Sequence, residues 1–239
     1  MDSRLECARE VLAVEANAIE RLRERLGDPS LRAGESFLRA ADAVLRCTGR
    51  VVLTGMGKAG KIAEKISATL ASTGTPSLFL HPAEAVHGDL GRCLRDDLVI
   101  ALSNSGETEE IVRLVPAVRQ IGARLVAVTG ASGSTLAREA DVVLDLGAIE
   151  EACPLGLAPT ASTAVMLALG DALAMVVLQS RGFTKDDFAL YHPSGAIGRT
   201  LLRVRERMRS GDAFPVVKSG APVRDALGPM GTKGRAGAA

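Results

Sequence analysis

"VVLTGMGKAGK", residues 51–61, runs from an apolar stretch into three glycines and two lysines. The pattern predicts a buried strand over 51–55, a tight turn and the start of a helix. Gly55, Gly57 and Gly60 spell G-x-G-x-x-G, and Gly55 to Lys61 spell G-x-x-x-x-G-K, so two phosphate-loop patterns overlap. A dinucleotide site needs an acidic residue about 20 positions on, where it holds the ribose hydroxyls. The next strand instead ends "LFLHP", with His81 in that place. A triphosphatase loop needs Ser or Thr after its lysine, to hold magnesium. Residue 62 is Ile. Each reading lacks a group its chemistry requires. Two remain: glycines that only permit a sharp turn, or backbone N–H groups and Lys58 set beside a simpler anion at a helix start.

Outward from this stretch, strands and helices alternate. "SLFL" (77–80), "LVIALS" (98–103), "RLVAVTG" (124–130) and "VVLDL" (142–146) read as further strands. Helices are expected over 3–26, 31–47, 58–72, 107–121, 134–139 and 160–181, several of them closed by glycine. The strands are apolar throughout, as strands covered on both faces are. The fold class is therefore α/β: a doubly wound, mainly parallel five-stranded sheet flanked by helices, with ligands at the carboxyl ends of its strands. Residues 1–48 are expected to be N-terminal helices packing on the core, and 49–202 the main domain. Residues 203–239, with "RVRERMRSGD" and "GTKGRAGAA", are expected to be a linker and frayed tail.

Composition narrows the function. The 239 residues carry a formal net charge of +1, one Tyr, five Phe and no Trp. That gives neither a basic field nor a stacking surface for nucleic acid. No apolar run is read as long enough to span a membrane, and "MDSRLECARE" lacks a signal-peptide core. The expected location is cytoplasmic, with no membrane partner. Cys7, Cys47, Cys93 and Cys153 are scattered without a C-x-x-C pair, which points to reduced thiols rather than a disulfide frame or zinc site.

A second loop, "SNSGET" (103–108), closes one strand and opens the next helix. Ser103, Ser105 and Thr108 supply hydroxyls, and Gly106 lets backbone approach closely. Beside free N–H groups at a helix start, they suit a phosphate clamp. One serine would suffice for an ordinary cap.

"TGMGKAGKIAEK", "STGTPSLFLHPAEAVHGDLG", "ALSNSGETEEI", "EEACPLGLAPTASTAVMLALGDALA" and "FALYHPSGAIGR" together resemble the arabinose-5-phosphate isomerases, a family of the sugar isomerase (SIS) fold. The resemblance runs over about residues 35–205. It implies aldose–ketose isomerisation between D-ribulose 5-phosphate and D-arabinose 5-phosphate through an enediol or enediolate. That reaction feeds 3-deoxy-D-manno-octulosonate and lipopolysaccharide synthesis and needs no cofactor. The alternatives are a non-catalytic sugar-phosphate sensor on the same fold, or another SIS phosphosugar isomerase.

In register with the family, Lys58, Glu110, Glu151 and His192 match catalytic positions. Glu151 is the preferred proton-shuttling base, Lys58 a cation for the enediolate or phosphate, and His192 an acid or base that helps open the aldose ring. Such a base benefits from a raised pKa. Ser103, Asn104, Ser105 and Thr108 are expected to bind the substrate. The resemblance adds contacts near Gly74 and Thr75, and His81 and His87 are assigned to sugar hydroxyls. No metal is required, although His81 is a candidate for an inhibitory zinc. The family also implies a homotetramer. Two departures stand out. Ala59 replaces a serine common in "GMGKSG", which would weaken the phosphate grip by about 1 kcal/mol. The tail also begins like the family's paired CBS domains but is too short to form them.

Overall fold

The computed structural model describes residues 2–192 and 216–232. The expected tail at 203–215 and 233–239 lies outside the described residues. The described chain forms two compact units, Met1–Tyr191 and His192–Ala239.

The first unit holds β1 (Val51–Gly55), β2 (Ser77–Phe79), β3 (Leu98–Leu102), β4 (Arg124–Thr129) and β5 (Val142–Asp145) in one sheet of order β2-β1-β3-β4-β5. Every pairing is parallel. The helices are α1 (Ser3–Gly27), α2 (Ala33–Leu45), α3 (Gly57–Ser72), α4 (Pro82–Ala85), α5 (Glu109–Ile121), α6 (Thr135–Glu139), α7 (Ala161–Ser180) and α8 (Lys185–Tyr191). The second unit contributes one described helix, Val223–Thr232, in a stretch where the sequence reading assigns none.

Alternate strand residues face opposite layers, as the two-residue period of a strand requires. Val51, Leu53, Ile100, Leu102, Val126, Val128 and Leu144 join α1, α2, α3 and α7 in one core. Val52, Val99, Ala101, Leu125 and Ala127 join α4, α5 and α6 in the other. Both faces are thus dry, and β1 and β3 are buried along their whole length. The edge strands are not: β2 is half-buried throughout and β5 alternates.

Two glycines let α3 lie close to β1. Gly57 adopts φ +56° at the turn. A Cβ on Gly60 would stand 2.5 Å from the Gly55 carbonyl oxygen. The glycine turn therefore has a packing role whatever it binds.

Helix α7 corrects one expectation. Its 20 residues are long and apolar enough, by length and composition alone, to cross a membrane. In this fold Val165, Met166, Leu169, Leu173 and Val177 lie in the core. Gly170 brings α7 so near α3 that a Cβ there would meet Ile66 Cδ1 at 2.2 Å. The short α4, a 3-10 turn over Asp89–Arg92 and α8 also escape the sequence pattern, because each is too brief to show a period.

Candidate active site

The strand order turns around between β1 and β3. Helix α3, leaving β1, packs on one face of the sheet, and α5, leaving β3, packs on the other. A crevice opens at such a reversal, beyond the carboxyl ends of the strands. Gly55 and Leu102 are register partners there. The glycine turn and the hydroxyl loop therefore begin side by side, about 5 Å apart.

Neither helix start is capped by a side chain: Met56 before α3 and Thr108 before α5 make no cap hydrogen bond. Helices α6 and α7, which also start at this end of the sheet, are served otherwise. Ser134 Oγ accepts the Ala137 N–H at 3.3 Å, and Glu151 takes backbone N–H groups at the start of α7. Open first-turn N–H groups carry the positive end of the helix dipole. Two of them meeting at one crevice make a site for an anion.

The hydroxyl loop holds itself in shape. Ser103 is buried, and its hydroxyl lies 2.8 Å from Thr108 Oγ1 while accepting the Gly106 N–H at 3.0 Å. Ser105 Oγ accepts the Glu107 N–H at 3.2 Å. The Asn104 carbonyl accepts from Thr129 Oγ1 and the Gly130 N–H. Gly106 has φ +64°, and a Cβ on it would fall 1.9 Å from Ser134 Oγ. Of the three hydroxyls singled out in sequence, Ser103 is thus spent on the loop, whereas Ser105 is exposed and Thr108 half-buried. Lys58 is exposed on the first turn of α3 and Glu110 half-buried on the first turn of α5. Glu107, beside it, is committed elsewhere, with its Oε1 accepting the Thr135 N–H at 2.7 Å.

Glu151 follows β5 and is half-buried. Its Oε2 accepts the Thr160 N–H at 2.7 Å, the Thr160 hydroxyl at 3.1 Å and the Ser162 N–H at 3.2 Å. Burial pushes this carboxyl up, but the hydrogen bonds from Ser162 and Thr160 outweigh it and hold the group below its ordinary range. A raised pKa is not what this site provides. Glu151 is an ionised carboxylate at neutral pH with one oxygen engaged. Thr160 and Ser162 were missed in the sequence, although "APTAS" just before an apolar helix is the kind of pattern a helix start leaves.

The remaining residues divide. His81 precedes α4 at the carboxyl end of β2, with its ring edge-on to Phe79 (6.3 Å, 81°) and Nδ1 buried without a partner among the described residues. His87 is exposed after α4. Among the described residues no three His, Cys, Asp or Glu side chains lie together as metal ligands. Gly74 and Thr75 precede β2 and so lie at the opposite, amino edge of the sheet within one chain. Gly74 takes φ +86° against the Phe183 ring, and Thr75 is buried with its hydroxyl unpartnered among the described residues. His192 begins the second unit. A cleft of about 410 Å³ lies elsewhere, between α1 and residues 146–150, and none of its lining residues belongs to the two loops.

The pattern of the SIS domain matches residues 44–176. An arabinose 5-phosphate isomerase of Pseudomonas aeruginosa is 50% identical over 228 residues, which cover 95% of this chain and 68% of that protein. This chain belongs to the arabinose 5-phosphate isomerase family of SIS-domain proteins. An Escherichia coli member is 50% identical over 223 residues, covering 93% of this chain and 66% of its own length. The chain thus spans about two thirds of the length of these relatives. Among solved structures, an Escherichia coli protein in complex with arabinose 5-phosphate is similar with TM-score 0.74 and 41% identity, over 81% of this chain and all of that one. A sugar-phosphate isomerase from Listeria monocytogenes, so described provisionally, aligns with TM-score 0.75 and 32% identity over 81% of this chain and all of its own.

Proposed function

We propose that the chain interconverts D-ribulose 5-phosphate and D-arabinose 5-phosphate, and so supplies 3-deoxy-D-manno-octulosonate and lipopolysaccharide synthesis. One observation carries this reading: two uncapped helix starts share the β1/β3 crevice, in a chain half-identical to arabinose 5-phosphate isomerases. The phosphate sits on the N–H groups at the starts of α3 and α5, with Ser105, Asn104 and Thr108 adding side-chain contacts. Lys58 supplies a cation to the phosphate or to the developing enediolate.

Isomerisation removes a proton from C1 of the ketose and returns one to C2. The hydroxyl at C1 becomes the aldehyde and the C2 carbonyl becomes a hydroxyl. Glu151 takes and returns the proton, and Glu110 and His192 assist at the oxygens. A carboxylate with a lowered pKa is a weaker base, so more of the barrier falls to stabilisation of the enediolate. The active form is a cytoplasmic homotetramer. Gly74 and Thr75, remote from the crevice in one chain, reach substrate only from a neighbouring copy.

A panel of pentulose and hexulose phosphates tests the reading, with each aldose product followed by NMR. Ribulose 5-phosphate should give the highest kcat/KM. Turnover of a hexulose phosphate alone, or tight binding with no proton exchange at C1 or C2, would overturn it.

A further inference from the structure

The Thr160 hydroxyl stands at the centre of a short chain of hydrogen bonds. It accepts the Ala152 N–H at 2.9 Å and donates to Glu151 Oε2 at 3.1 Å. Its one hydrogen and an acceptor lone pair are thereby committed. The segment between these residues, 152–159, carries exposed Leu155 and Leu157, and its base is tied by these bonds and by the Thr160 N–H donating to Glu151 Oε2. Capping α7 needs the carboxylate on backbone N–H groups, and those of Thr160 and Ser162 serve it. The Thr160 hydroxyl adds a third donor to the same oxygen, and the Ser162 hydroxyl also hydrogen-bonds the carboxylate. The Thr160 N–H, the Thr160 hydroxyl and the Ser162 N–H all act on Oε2.

We propose that Thr160 is a positioning residue for the isomerase reaction: its hydroxyl, fixed by the Ala152 N–H, locks Glu151 through Oε2 so that Oε1 is the oxygen that exchanges the substrate proton. This rests on the reading of Glu151 as the base. Without the hydroxyl, Oε2 keeps the Thr160 and Ser162 N–H groups but loses the donor tied to Ala152, and the fraction of the carboxylate aligned with C1 and C2 falls. The causes of the Glu151 shift, largest first, are burial, which raises it, and the hydrogen bonds from Ser162 and Thr160, which lower it.

The test compares the wild-type chain with Thr160→Val, Thr160→Ser and Glu151→Gln. Thr160→Val should lower kcat about 10- to 100-fold, the scale of misplaced catalytic groups, with KM changed less than about threefold. Its acid limb in the pH profile of kcat/KM should move to higher pH, because the carboxylate loses a donor. The Glu151 side-chain carboxyl ¹³C titration should shift the same way. Thr160→Ser should restore both. If the valine variant does not fold, Thr160→Ala, which removes the hydroxyl without adding bulk, gives the same readouts. An active wild type whose Thr160→Val keeps its kcat and its acid limb, while Glu151→Gln is inactive, overturns the positioning role alone. A folded wild type with no turnover overturns both readings.

Discussion

Glu151 carries the sharpest residue-scale consequence. With a pKa below its unfolded value, its contribution to stability is complete above the ordinary carboxylate range and is lost as pH falls through the folded pKa. Glu151→Gln should therefore flatten the acid side of the stability curve below about pH 4.5, seen by thermal melts from pH 7 to 3. In catalysis the same substitution should lower kcat by about 100-fold or more while leaving sugar-phosphate binding within about threefold. The cysteines divide by environment. Burial pushes the Cys93 thiol up to about 11. Backbone N–H groups of Ala158, Leu157 and Leu155 draw the Cys153 thiol below its usual value. Iodoacetamide at pH 8 should label Cys153 well before Cys93, as peptide mapping would show; the reverse order would refute the loop geometry around Glu151. Gly106 is required for both its conformation and its space. Gly106→Ala should cost about 2–4 kcal/mol in denaturant melts, from the φ +64° backbone and the contact with Ser134 together.

At the scale of elements, the sheet was legible because its central strands are dry on both faces, so apolar runs bounded by Gly and Asp could be read directly. The helix starts at Gly57 and Glu109 lie within two residues of their expected places for the same reason. What escaped the sequence was the use made of side chains. Nothing in "SNSGET" distinguishes Ser103, which holds the loop, from Ser105, which faces out, because burial depends on the strand register beside it. Glu150 and Glu151 look alike in sequence, and the hydrogen bonds from Thr160 and Ser162 separate them. Gly74 and Thr75 could be placed by resemblance but not by fold, since their edge of the sheet follows from the strand direction. The α3–β1 contact is testable at this scale. Gly60→Ala forces a methyl to within 2.5 Å of the Gly55 carbonyl oxygen. It should cost about 1–3 kcal/mol and lift the start of α3 away from the crevice, raising KM for phosphate-bearing substrate. A substitution that changes neither would detach the glycine turn from the site.

Over the whole molecule, the unit Met1–Tyr191 contains the sheet and both cores, whereas His192 begins the second. On the proposed reading, His192 takes part in the chemistry but lies outside the unit that holds the sheet. A chain ending after Tyr191 should unfold cooperatively with a midpoint within about 4 °C of the full chain, yet lose turnover along with His192. In the proposed reaction this fold moves a proton between adjacent carbons of a phosphorylated pentose. The most direct measurement is conversion of D-ribulose 5-phosphate by the purified chain in D₂O, followed by ¹H and ¹³C NMR. Proton transfer through a solvent-exchanging base yields D-arabinose 5-phosphate carrying deuterium at C2. A folded protein that forms no aldose would contradict the account.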